Sequence, residues 1–196
     1  VSERLPTKKP PSRTAISRTA TNRAATNRAA TVREPVVALV TGILEGYAAK
    51  AVFRGFSAHP AAKAAAKGKA TYRMVWHHDR AFELLLDVGQ KKLQFPEVLP
   101  GVPARSPMYR ELQAFLKVRQ SDQMPEHRRV NPAKARLASA NKRGTVSITI
   151  TVKDGDFDYA TRKIIHIVHE IFLIFLVDGP YFEYMVEHLG LDPDRY

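Results

Sequence analysis

The chain has 196 residues, 31 Lys and Arg against 19 Asp and Glu, no cysteine, and a formal net charge of +12 at pH 7. Without thiols there can be no disulfide framework, thiolate zinc site, iron–sulfur cluster or cysteine nucleophile. The longest apolar stretch, residues 164–177, is interrupted by His166, His169 and Glu170 and falls short of the roughly 20 apolar residues that cross a bilayer. The expectation is a soluble, cytoplasmic protein with no membrane partner.

The charge is unevenly placed. Residues 1–73 hold 14 Lys and Arg against 3 acids, whereas residues 74–196 hold 17 against 16. Arg13, Arg18, Arg23, Arg28 and Arg33 recur every five residues, and TNRAA stands twice, at 21–25 and 26–30. A period of five matches neither the 3.6 of a helix nor the 2 of a strand, and bulky apolar residues are scarce before residue 34. Residues 1–73 therefore read as a disordered, low-complexity basic tail and linker. Within them, 36–53 has the apolar content for a helix, and the Ala/Lys stretch 59–70 reads as a solvated linker or marginal helix. The tail has three further readings. It can be upstream sequence, with Met74 as the true start. It can be a transit segment rich in Arg, Ser and Thr. It can also bind nucleic acid by pairing those five arginines with phosphates, although no aromatic residue for base stacking precedes Tyr47.

Residues 74–196 read as a single domain. Segments 76–78 and 81–88 have strand character, Gly89-Gln90 offers a turn, and 92–95 returns as a partner that stops at Pro96. Ser106-Pro107 starts a helix running to about residue 120, and 121–132 is a polar loop. A second hairpin, 135–140 and 145–152, turns at Asn141-Lys142-Arg143-Gly144. Asp156 or Asp158 then caps a long helix to about residue 177, and a short helix, 181–189, stops at Gly190. The order ββ–α–ββ–α–α predicts a two-layer α+β fold, an antiparallel sheet built from two hairpins with helices on one face.

The sharpest chemical candidate is His166-x-x-His169-Glu170. On a helix these groups neighbour one another, and imidazole with carboxylate can hold a divalent metal such as zinc. The order differs from the metalloprotease motifs, and the same residues also fit the polar stripe of an amphipathic helix. His77 or His78 can join this group, but only one of them, because neighbouring residues of a strand face opposite ways. Asp154-x-Asp156-x-Asp158 starts like a calcium loop but has Tyr159 and Ile165 where Gly and Glu are needed. His127, Arg128 and Arg129 with Lys142 and Arg143 make a basic cluster in an otherwise balanced domain. No phosphate loop or nucleophile elbow is present.

Phe172, Phe175, Tyr181, Phe182 and Tyr184 exceed what one small core requires and mark a partner or dimer surface. The sequence thus predicts a non-enzymatic binding or self-association domain that meets a protein partner or its own copy. A metal-dependent enzyme using His77, His166, His169 and Glu170 is the second reading, and nucleic-acid binding through the arginine repeat the third.

Overall fold

The structure is a computed structural model that describes residues 33–59, 65 and 67–195. The readings of residues 1–32, including those of Arg13, Arg18, Arg23 and Arg28, fall outside it. Six segments alternate apolar and polar side chains and form one antiparallel sheet: β1 (Arg54–Ala58), β2 (Lys69–Trp76), β3 (Arg80–Asp87), β4 (Lys92–Leu99), β5 (Ala135–Lys142) and β6 (Thr145–Val152). They lie in the order β1-β2-β3-β4-β6-β5. The inner face is set by register. Ala70 pairs with Leu86, Leu86 with Leu93, Leu93 with Ile150, and Ile150 with Leu137, so one buried apolar row crosses five strands.

Helix α1 (residues 33–49) places Val37, Val40 and Leu44 in the core. It meets the inner face where the Tyr72 hydroxyl donates to the Val37 carbonyl and bonds Thr41 Oγ1 at 3.1 Å. Helix α2 (Pro107–Val118) starts as its sequence predicts, with Ser106 Oγ accepting from the Tyr109 amide at 3.2 Å. Helix α3 (Phe157–Glu170) starts at Asp156, which accepts from the Tyr159 amide at 2.9 Å. It packs across β4 and β6, then continues as a π-helical turn, Ile171–Phe175, and a last α turn, Leu176–Asp178. Helix α4 (Phe182–Leu189) ends at Gly190 in the left-handed conformation. The fold is α+β, with the helices against one face of the sheet.

Four details differ from the sequence reading. The sheet begins before residue 74: β1 and most of β2 precede it, and the expected boundary falls inside β2. Met74 itself is a buried core residue. Lys69 and Ala70, expected in a linker, belong to β2. β4 does not stop at Pro96 but runs to Leu99; its register against β6 shifts between Phe95 and Leu99, and a bulge tolerates a residue without an amide proton. In the β3–β4 turn the left-handed residue is Lys91, not Gly89.

Since Leu44, Phe53 and Tyr72 are core residues, a chain beginning at Met74 is expected to lose cooperative thermal unfolding followed by circular dichroism. Leu44→Ala in the full chain is expected to cost about 2–5 kcal/mol in urea unfolding. A sharp melt from residues 74–196 alone would contradict this.

Candidate functional site

The strand reading of 76–78 gives way to a tight reversal. β2 ends at Trp76, which pairs with Arg80, and His77–Asp79 form the turn between them. His78 and Asp79 both have positive φ, 53° and 56°, a conformation that L residues adopt reluctantly. The expectation that the two histidines face opposite ways therefore fails, because it holds only in an extended strand. His77 and His78 instead line the same two hollows.

His77 Nε2 stands 3.2 Å from His169 Nδ1 on α3. Each ring is held by an aromatic partner. His77 lies parallel to Phe172 at 4.3 Å between centroids, and His169 is parallel to Trp76 at 5.8 Å. Burial, with the neighbouring imidazole of His169 adding to it, pushes the His77 pKa from 6.5 down to about 3. Burial also lowers His169 and His78. For both facing rings the shift favours the neutral form.

His166 and Glu170 belong to a different cluster. Glu170 is only 4% exposed and accepts from Arg119 Nε at 3.0 Å, from Arg128 Nε at 2.9 Å, and from His166 Nε2 at 3.2 Å. Burial would raise this carboxyl, but the two guanidinium partners win and hold it below the usual range. Glu170 is thus no part of a solvated stripe; it is a buried anchor that ties the loop after α2 to α3. Among the described residues, no group of three or more His, Cys, Asp or Glu is placed to hold a metal. The joint site of His77, His166, His169 and Glu170 is split because the arginines occupy the carboxylate. Arg119, also buried, had no marker in the sequence. The expected basic cluster is likewise tied down, with Arg128 on Glu170 and Arg129 on Asp122. Arg33 opens α1 and lies close against Gly68.

The aromatic candidates also separate. Phe172, Phe175 and Tyr181 are buried, and Tyr184 is half-buried with its hydroxyl on the Pro100 carbonyl at 2.7 Å. Phe175 packs at a tilt against the rings of Phe115 and Tyr181, and the Tyr181 hydroxyl donates to Glu111. These are core contacts within the chain itself. Phe182, however, is 46% exposed, together with Leu173 at 54% and Val177 at 61%. The three rim a groove of about 440 Å³ floored by Phe172 and Met185, with His77 and His78 at one end. Leu173 and Val177 stand four apart, and their helical spacing was the available signal, although the π-helical turn that sets their direction has no sequence marker.

Comparisons with protein-family models, with curated proteins and with solved structures found no match.

Two measurements probe these clusters. Glu170→Gln leaves Arg119 buried beside a neutral group and is expected to cost about 3–5 kcal/mol in urea unfolding, whereas Asp158→Asn in the exposed pair with Arg162 is expected to cost under about 1 kcal/mol. For His77, the folded-state pKa lies below 6.5, so the unfolded chain takes up its proton first. Its stabilisation is complete above pH 6.5 and is lost as the pH falls toward about 3. With a chelator present, the acid-induced loss of stability is expected to be shallower in His77→Gln than in the wild type. Equal slopes would show that the ring is not held neutral.

Proposed function

We propose that this chain is a non-enzymatic binding module that works by burying the apolar groove between the end of α3 and α4, and that a second copy of the chain fills it. The observation that carries the reading is the contiguity of Leu173, Val177 and Phe182 around one concave space. Exposed apolar side chains scattered singly need no explanation, but a cluster around a groove does. The π-helical turn supports the reading, because such turns are rare within α-helices and frequent at functional sites. Here it coincides with the change from a buried helix to one that exposes Leu173 and Val177.

A second copy fits because one patch carries both the projecting side chains and the hollow to receive them, as a two-fold contact requires. The basic segment 1–32 offers few bulky apolar side chains to fill the groove from within. Burial of a Val or Phe side chain contributes about 1.5–3 kcal/mol, so a few such residues per subunit support a reversible dimer.

Sedimentation velocity across a concentration series is expected to show a reversible dimer, and Val177→Asp is expected to weaken it by at least about tenfold while leaving the melting temperature within a few degrees. A monomer at every concentration would end the self-association reading.

A further inference from the structure

We infer that His77 and His169 form a two-histidine site for a nitrogen-preferring divalent cation, of which zinc is the representative. Two nitrogens at zinc's usual bond length, about 2.0–2.1 Å, in a tetrahedral array stand roughly 3.3 Å apart. His77 Nε2 and His169 Nδ1 are 3.2 Å apart. The pair is therefore spaced for one ion held by both nitrogens, to one side of the line that joins them.

Three other features favour a site over an accidental contact. The rings are fixed in orientation, since His77 lies parallel to Phe172 and His169 to Trp76, and preorganised ligands bind more tightly than free ones. The turn that presents His77 contains two successive non-glycine residues with positive φ, His78 and Asp79. Such backbone is strained and collects at functional sites. The ring pair also borders an open cleft of about 770 Å³, between α1, β1 and the end of α3, wide enough for an ion with its water.

The chemistry requires little. In the hydrogen bond between the two imidazoles, one of the facing nitrogens carries the shared hydrogen. Moving that hydrogen to the other nitrogen of its own ring leaves two lone pairs facing the ion. No proton leaves the protein. Water completes the coordination from the cleft. Glu45 also lines the cleft, and Asp79 there is engaged by Arg54. Imidazole ligation selects zinc, copper or nickel over calcium and magnesium. The site does not depend on what fills the neighbouring apolar groove, although His77 and His78 line both hollows.

The test is calorimetric titration of the full chain with zinc chloride at neutral pH. One equivalent is expected to bind, and His77→Gln and His169→Gln are each expected to weaken binding by more than about a hundredfold, beyond the cost of losing an outer-sphere partner. His127→Gln, in the exposed loop, is expected to leave it unchanged. Because a ligand that binds only the folded state raises the melting temperature, zinc is expected to shift the midpoint of the wild type and of His127→Gln but not of the two site variants. This second readout separates lost ligation from lost folding. Absence of binding, or unchanged binding in both site variants, would overturn the inference.

Discussion

Because the inner face of the sheet carries Tyr72, Met74, Phe82, Leu84, Phe95 and Ile148 almost sealed from water, a second layer has to cover it, and the rest of the structure follows from how that is done. Each such side chain contributes about 1.5–3 kcal/mol when buried. Helix α3 covers β4 and β6, and α1 covers the Tyr72 end. This placement seats His169 over Trp76 and within reach of His77. The histidine pair is a consequence of where two covering elements meet.

The same helix carries the main polar exception in the core. A carboxylate as buried as Glu170 is costly unless paired and fully hydrogen-bonded. Here two arginines from outside the helix and His166 from the preceding turn satisfy it. Arg119 also lies over the Phe115 ring, 3.4 Å from its centroid, so the cation is held by an aromatic face as well as an acid. The interaction joins α2, the 121–132 loop and α3 in one unit. Beyond Glu170 the helix turns apolar on all sides and widens into the π-helical turn, with Leu173 and Val177 exposed. Gly179 then lets the chain fold back, because a Cβ there would stand 2.3 Å from the Tyr181 ring.

Much of this was legible in the sequence where a local rule decides the outcome. Ser106-Pro107 and Asp156 announce their helices because capping is a matter of one side chain and one amide. The β5–β6 hairpin shows in the alternation of Val146, Ile148, Ile150 and Val152, and Gly190 marks the end of α4. What was hidden depends on partners far along the chain. β1 and the start of β2 sit in a stretch dominated by Ala, Lys and Gly, and only pairing, of β1 with β2 and of β2 with β3, makes them strands. Glu170 reads as a polar-stripe residue until Arg119, 51 positions away, is brought to it. The surplus of aromatics near the C-terminus was visible, but which rings are spent on the core was not: Phe172 and Phe175 turn inward, while Leu173 and Val177, unremarked among apolar neighbours, turn out.

The central claim is that the described residues form one cooperative unit in which α1 and α3 jointly cover a single sheet face. Native-state hydrogen exchange tests it most directly. The account predicts that the slowest amides of α1, β2 and α3 share one opening free energy and the same denaturant dependence, as expected when they exchange only through global unfolding. Amides of α1 and β2 that opened at markedly lower free energy than those of α3 would contradict it, and would show the sheet face to be covered by α3 alone.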